Sequence, residues 1–84
     1  MMYKIRITAR AKRELKNLSR KNFIAIGLVL EDLRENPYIG KKLERELSKR
    51  YVYRVGVYRI IYKIFEKGMI VEIISAGHRS AIYD

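Results

Sequence analysis

The chain has 84 residues and no cysteine, and its 19 lysine and arginine residues outnumber nine aspartate and glutamate residues to give a net charge of +10. This length allows one hydrophobic core, so we expect a single domain over residues 1–84. A hydrophobic content of 49% excludes an intrinsically disordered chain. The positive charge favours a polyanionic partner, either nucleic acid or an anionic membrane surface.

Residue types that are absent or rare exclude several kinds of site. Without cysteine the chain has no disulfide scaffold, no thiolate nucleophile and no cysteine-based zinc site. The single histidine, His78, argues against a histidine metal centre. The N-terminal stretch lacks the apolar segment of a signal peptide, and no apolar run is long enough to span a bilayer. We therefore expect a cytoplasmic protein that binds no metal and no membrane.

The first half of the chain predicts a strand followed by two helices. Residues 3–8 alternate apolar with basic side chains, as in a half-buried strand, and Thr8 is placed to cap the next helix. Residues 9–18 are rich in helix formers and carry an apolar stripe. Residues 23–35 repeat apolar side chains at helical spacing, and Pro37 ends this helix because the residue before a proline avoids helical backbone.

The second half predicts three strands. Residues 41–50 are strongly charged and fit either a short helix or an irregular loop pinned by Leu43 and Leu47. Strand-like runs follow at residues 51–55, 58–65 and 69–77. The pattern therefore predicts an α+β fold of order β-α-α-β-β-β, in which an antiparallel sheet carries a two-helix hairpin on one face. The face of the sheet that the helices do not cover must then serve a function or contact a partner.

The basic residues are concentrated at the N-terminal end. Residues 1–21 hold eight basic side chains and one acidic side chain, Glu14. Any single lysine there fits an ordinary solvated helix surface, but the patch as a whole favours contacts to phosphates. The predicted RNA-binding residues of this patch are Lys4, Arg6, Arg10, Lys12, Arg13 and Lys16.

Three arginines differ from the rest because they lie in or beside apolar strand segments. They are Arg54, Arg59 and Arg79, and the planar guanidinium group suits bidentate contact with phosphate. Tyrosines surround them, and Tyr53 is a further candidate for RNA binding. Tyr58 and Tyr62 share strand parity with apolar neighbours, so for these two we favour packing in the core.

The residues around these arginines resemble a known family. The string RVGVYRIIY at residues 54–62 is similar to the signature of the RelE/ParE toxin superfamily. Other matching pieces, in order, are Ala11, Leu15 and Leu18, then Asn36-Pro37, Gly40-Lys41, Leu43 and Leu47, and finally Gly77-His78-Arg79 with Tyr83. The resemblance spans essentially the whole chain. It implies a RelE-like fold of the microbial ribonuclease type.

The resemblance also implies an activity. RelE-type members are toxins of type II toxin–antitoxin systems that enter the ribosomal A site and cut mRNA. The ribose 2′-OH attacks the adjacent phosphate, which leaves a 2′,3′-cyclic phosphate and a 5′-OH, without a metal or other cofactor. An acidic RelB-like antitoxin, partly disordered until it binds, is the implied protein partner.

Position by position, the resemblance assigns catalytic roles to four residues. Arg59 is similar to the arginine that holds the scissile phosphate, and Arg79 to the one that also contacts it and helps the leaving oxygen. Tyr83 is similar to a tyrosine that stacks on or orients the substrate base. Arg54 stands where bacterial relatives often carry a catalytic lysine, and Val52 replaces a second one.

These replacements leave the proton acceptor for the 2′-OH open. Arg54 stays protonated, so it is a poor general base and a good stabiliser of a charged phosphorus centre. The remaining candidates are His78, Tyr53 and Tyr83. Catalysis that rests mainly on positioning and electrostatics is the other possibility.

Two other functions compete with RNA cleavage. A ParE-type toxin inhibits DNA gyrase by binding it, but members of that type generally do not keep Arg59, Arg79 and Tyr83 together. A degenerate member that only binds RNA or its antitoxin would fit Val52 and the missing base.

Overall fold

A computed structural model describes residues 2–43 and 49–78. The chain combines two helices with one sheet, which confirms the predicted α+β class. The elements in chain order are β1 (Lys4–Ile7), α1 (Ala9–Lys16), α2 (Arg20–Glu35), a 3₁₀ turn (Pro37–Ile39), β2 (Lys41–Lys42), β3 (Tyr51–Val55), β4 (Tyr58–Phe65) and β5 (Ile70–His78).

The five strands form one sheet in the order β1-β5-β4-β3-β2. Strands β3 to β5 form the predicted antiparallel meander, and β2 adds to it antiparallel beside β3. Strand β1 runs parallel to β5, so the sheet is mixed rather than antiparallel throughout. Parallel strands need a long connection. Along the chain, both helices lie in the connection that follows β1. Alternating side chains report which residues share a face and carry no information on strand direction.

A side chain caps the N-terminus of each helix, at the predicted Thr8 for α1 and at Ser19 for α2. The side chain of Thr8 accepts a hydrogen bond from the backbone N–H of Ala11 at 3.1 Å, and Ser19 accepts one from Asn22 at 3.2 Å. The second helix therefore starts at Arg20, three residues earlier than its apolar pattern predicts. Its end before Pro37 agrees with the prediction.

The core lies between the helices and one side of the sheet, which we call the helix-covered face. Its buried side chains are Ala11 and Leu15 of α1, Ile26 and Leu33 of α2, and Ile60, Tyr62, Val71, Ile73 and Ala76 of the two central strands. Tyr62 is fully buried and Tyr58 packs against the same cluster, so the predicted core packing of both tyrosines is confirmed.

A buried tyrosine fixes the turn between α2 and β2. The hydroxyl of Tyr62 donates to the carbonyl oxygen of Pro37 at 2.7 Å and accepts from the backbone N–H of Gly40 at 3.1 Å. A Cβ atom on Gly40 would lie 2.1 Å from the Tyr62 hydroxyl oxygen, so the close approach requires glycine. The turn places Lys41–Lys42 beside β3, where the sequence predicted a helix or loop. The part of that prediction that involves Leu47 lies outside the described residues.

Strand β5 contains a bulge. Ile61 pairs with Ser75 while its neighbour Tyr62 pairs with Ile73, so Ile74 is an extra residue with no partner on β4. Beyond the bulge the alternation of β5 is inverted. Ala76 consequently points into the core although it lies an odd number of residues from Ile73.

Candidate functional site

The charged strand residues that face away from the helices are mostly basic. Pairing places them on the side opposite the core residues, and we call this side the basic face. Its charged members are Lys4, Arg6, Lys41, Arg54, Arg59, Lys63 and one acid, Glu72. The excess of cations is therefore not confined to the N-terminal helical half. It also covers one side of the sheet.

Two arginines stand directly opposite each other on the basic face. Arg54 of β3 and Arg59 of β4 are register partners beside a two-residue turn, in which Gly56 has a φ of 61°. A glycine with positive φ at the first turn position matches a type II′ hairpin. Side chains opposite each other in a sheet start about 5 Å apart, and like charges at that spacing destabilise the pair. An anion between the two guanidinium groups would remove this cost.

The two arginines differ in burial. Arg54 is exposed, whereas Arg59 is half-buried and its Nε is shielded from solvent. On its other side Arg59 is paired with Gly77, which adds no side chain to the row. The guanidinium group of Arg59 is therefore packed against the sheet, whereas that of Arg54 reaches solvent.

A lysine that the sequence reasoning did not assign to the site lies nearby. Lys41 pairs with Val52, one pleat along the basic face from Arg54. It is exposed and brings a third positive charge to this end of the sheet. Sequence reasoning missed it because a two-residue strand has no readable alternation. The turn signalled by Pro37 and Gly40 was the feature of the sequence that could have placed Lys41 beside the sheet.

Two candidates for the proton acceptor lie on the other side of the sheet. The ring of His78 packs edge-on against that of its register partner Tyr58, with 5.8 Å between the centroids. The Tyr58 hydroxyl accepts a hydrogen bond from Asn22 of α2 at 2.8 Å, so this cluster lies on the helix-covered face. Tyr53 pairs with Ile60 and packs against the core. The backbone of the sheet thus separates His78 and Tyr53 from the paired arginines.

Arg79 and Tyr83, the remaining predicted catalytic residues, lie outside the described residues. The described strand that leads to them is anchored by a carboxylate. Strand β1 ends at Ile7, and beyond that point α1 lies against β5. Glu14 accepts hydrogen bonds from the Ser75 hydroxyl at 2.7 Å and from the backbone N–H of Ala76 at 2.9 Å.

The pKa of Glu14 reflects this contact. Partial burial raises the pKa, but hydrogen bonds from Ala76, Ser75 and Arg10, together with the Arg10 charge, outweigh burial and lower it below the usual 4.5. Glu14 is therefore ionised at neutral pH. It fixes the C-terminal end of β5 against α1 in its charged form.

The predicted N-terminal patch is divided between two surfaces. Lys4 and Arg6 lie on the basic face, where Arg6 pairs with Glu72 at 3.2 Å and stacks 5.4 Å from the Phe65 ring. The rest lie on α1, where Arg10 pairs with Glu14 at 3.2 Å. The exposed members on α1 are Arg10, Lys12, Arg13 and Lys16.

Two kinds of feature are absent from the described ranges. Residues 2–43 and 49–78 contain no group of three or more potential metal ligands. Within the same ranges, neither helix combines the length and apolar character needed to cross a membrane.

The family model for the ParE toxin of type II toxin–antitoxin systems, parDE, matches residues 5–83. The chain belongs to this toxin family. It is also similar to Toxin RelG of Mycobacterium tuberculosis, with 35% identity over 85 residues that cover 99% of this chain and 98% of the relative. Toxin RelE of the same organism is 39% identical over 83 residues, which cover 96% of this chain and 86% of the relative.

Solved structures of toxins share the fold. The toxin–antitoxin complex RelBE2 of Mycobacterium tuberculosis contains a chain that matches with a TM-score of 0.85 and 33% identity, covering 94% of this chain and 100% of that one. A mutant of E. coli toxin RelE in the free state matches with a TM-score of 0.82 and 26% identity, covering 98% and 88%. The predicted membership of the RelE/ParE superfamily is confirmed, and this chain is a toxin of a type II toxin–antitoxin system.

Proposed function

We propose that this toxin is a ribosome-dependent endoribonuclease that cuts mRNA in the A site. The observation that carries the proposal is the pair Arg54–Arg59, two cations held opposite each other on the basic face. In the proposed reaction the ribose 2′-OH attacks the adjacent phosphorus and the bond to the 5′ oxygen breaks. The products are a 2′,3′-cyclic phosphate and a 5′-OH.

The arginines are proposed to act on the charge of the phosphate. Arg59, half-buried and fixed by β4, holds the scissile phosphate, while exposed Arg54 stabilises the charge that develops on its oxygens. Lys41 adds to the positive potential from the neighbouring strand. Arg79 and Tyr83 are proposed, from the family resemblance, to assist the leaving oxygen and to stack on a base. The scheme needs no metal or other cofactor.

The placement of two of the three candidate bases favours electrostatic catalysis. His78 and Tyr53 lie on the helix-covered face, so neither is aimed at a phosphate bound between Arg54 and Arg59. We therefore propose that the arginines supply most of the rate enhancement by holding the reacting groups and neutralising charge. In this scheme His78 supports the end of β5.

The remaining basic surface is proposed to contact the ribosome and the antitoxin. Exposed cations on α1 contact phosphates without regard to sequence, as ribosomal RNA would require. The solved relatives include complexes with RelB-type antitoxins. We propose an acidic RelB-like antitoxin as the cytoplasmic partner of this chain, in a toxin–antitoxin hetero-oligomer that neutralises the basic face.

The second candidate function is inhibition of DNA gyrase by binding. The family model that matches the chain is the one for ParE toxins, which is the observation in its favour. This function would not require the paired arginines to contact a phosphate. The two candidates therefore differ in their response to substitution of Arg54 and Arg59.

A translation reaction with purified ribosomes and a defined mRNA tests the proposal. Wild-type toxin should give codon-phased cuts with 5′-OH ends, and Arg59→Ala should reduce the single-turnover rate about 10²- to 10³-fold, as for loss of one oxyanion-stabilising donor. Lys67→Ala, in the exposed turn between β4 and β5, is the matched control and should cleave normally. Absence of cleavage by the wild type, together with inhibition of gyrase supercoiling, would support the second candidate instead.

A further inference from the structure

The outward side of α2 is apolar. Phe23 and Ile24 are each 52% exposed and Leu28 is 65% exposed, although the opposite side of the same helix already supplies Ile26 and Leu33 to the core. Three large apolar side chains within two turns form a continuous exposed stripe. Such a stripe on a small protein marks a surface that another molecule covers.

A glycine lies in the middle of this stripe. A Cβ atom on Gly27 would meet no atom within 4 Å, so packing inside the described chain does not require a glycine there. Glycine inside a helix costs about 1 kcal/mol relative to alanine. A glycine at this position allows the backbone of another molecule to approach α2 closely. Gly27 therefore marks the place on α2 where the distance to a partner is shortest.

Apart from Arg34 in the last turn, the charges near the ends of α2 oppose the dipole of the helix. Arg20 and Lys21 occupy the first turn, where anions are favoured, and the acidic residues lie towards the last turn, where cations are favoured. These acidic residues are Glu31, Asp32 and Glu35. Among the described residues, Glu31 pairs with Arg34, and no ion pair includes Arg20, Lys21 or Asp32. The arrangement weakens the isolated helix, so its benefit lies in an intermolecular contact.

We propose that the outward side of α2 binds the same surface of a second copy of the chain, with the two helices antiparallel about a two-fold axis. Such an axis places Ile24 of each copy against Leu28 of the other. Arg20 lies four residues before Ile24 and Asp32 lies four residues after Leu28, so this arrangement brings Arg20 level with Asp32 of the other copy. Lys21 and Glu31 come level in the same way, each three residues away.

The symmetry doubles each of these contacts. Every cation of the first turn then faces an anion of the partner's last turn, and the two helix dipoles run in opposite directions. One helix pair buries less than the roughly 1,200 Å² of a standard stable interface, so the dimer is weak, with a dissociation constant on the order of tens of micromolar. The paired arginines lie on the other side of the sheet and stay accessible in this dimer. The proposal is independent of the RNA-cleaving function.

Sedimentation equilibrium of the full-length toxin, across concentrations that bracket the expected constant, tests the proposal. Wild type should form dimers reversibly, and Leu28→Glu should weaken association at least about tenfold because it puts a carboxylate into the centre of the contact. Leu28 is exposed, so the variant should retain the wild-type circular dichroism spectrum and melting temperature. Lys67→Glu, an exposed charge reversal in the β4–β5 turn, should dimerise like the wild type.

A charge swap tests the antiparallel register. Arg20→Asp and Asp32→Arg should each weaken the dimer, and the double variant should restore it because the opposite charges meet again across the axis. A double variant as weak as the single ones would overturn the arrangement. A wild-type chain that stays monomeric at every concentration would overturn the proposal and would leave the stripe to a different protein. A dimer that resists Leu28→Glu would place the interface elsewhere and would also overturn it.

Discussion

The two faces of the sheet differ in the surroundings of their polar groups. On the helix-covered face the Tyr62 hydroxyl is bonded to Pro37 and Gly40, and the Tyr58 hydroxyl is bonded to Asn22. On the basic face two arginines stand opposite each other although like charges in that position repel. The comparison indicates that one face stabilises the fold through hydrogen bonds, while the other brings like charges together at a cost in stability.

The largest effect on stability is expected at the turn that Tyr62 holds. Gly40→Ala places a methyl group 2.1 Å from the Tyr62 hydroxyl oxygen and 3.0 Å from the backbone oxygen of Val52, so the turn must move. We expect a loss of about 1–3 kcal/mol in the free energy of unfolding, measured by urea denaturation. The control is Gly27→Ala, at a helical position with open space, which should gain up to about 1 kcal/mol. Equal effects at both glycines would contradict this account of the turn.

The next largest effect on stability is expected from removal of the Tyr62 hydroxyl. Tyr62→Phe leaves the Pro37 carbonyl and the Gly40 N–H without their partner, which should cost about 1–2 kcal/mol. The Tyr51 hydroxyl has no hydrogen-bond partner among the described residues, so Tyr51→Phe, which keeps the ring stacked on Tyr62, should change stability little.

Alkaline pH provides an independent measurement at the same residue. Burial is the main cause that raises the pKa of Tyr62 from 10.0 to about 12. The folded state therefore keeps its proton longer than the unfolded state, and the associated stability is present below pH 10 and lost between pH 10 and about 12. Tyr62→Phe should remove this alkaline loss. A loss of the same size in the variant would assign it to other groups.

A smaller effect is expected at the carboxylate that anchors β5. Glu14→Gln keeps the shape but weakens the hydrogen bonds from Ser75 and Ala76, and should cost about 1 kcal/mol at pH 7. The folded pKa of Glu14 lies below 4.5, so its contribution is present above that pH and is lost as the pH falls through the folded pKa. The stability difference between wild type and variant should shrink from pH 7 to pH 3. A constant difference would show that the charge of Glu14 is not involved.

The smallest effect on stability, and opposite in sign, is expected on the basic face. Arg54→Ala removes the repulsion with Arg59 and should raise stability by up to about 0.5 kcal/mol, while Arg54→Lys should not. Added inorganic phosphate should raise the melting temperature of the wild type more than that of Arg54→Ala, because the variant has lost half of the proposed anion site. Lower stability of Arg54→Ala would show that the arginine pair supports the fold.

Much of this comparison could be predicted from the sequence. Alternation within β3 and β4 places Arg54 and Arg59 on one side and the core tyrosines on the other, as observed. The capping side chains of Thr8 and Ser19 mark the helix starts, since their hydrogen bonds are local. Such features depend on neighbouring residues only, so they are readable along the chain.

The features that could not be predicted depend on contacts between distant segments. The parallel direction of β1 and the two-residue strand β2 are set by pairing with β5 and β3. The face of His78 is set by the bulge at Ile74, because simple alternation from Ile73 would place His78 on the basic face. One extra residue therefore decides whether the histidine lies beside the arginines or beside Tyr58.

The contact between Glu14 and β5 also bears on aggregation. Strand β1 covers β5 only as far as Ile73, and an uncovered strand edge is a template for pairing with another chain. The carboxylate of Glu14 occupies the N–H of Ala76, and the Thr8 hydroxyl donates to the carbonyl oxygen of Ile74 at 3.0 Å. The capping residue of α1 and a side chain from its second turn thus take the place of a neighbouring strand. They block edge-to-edge addition along the segment that leads to the proposed catalytic residues.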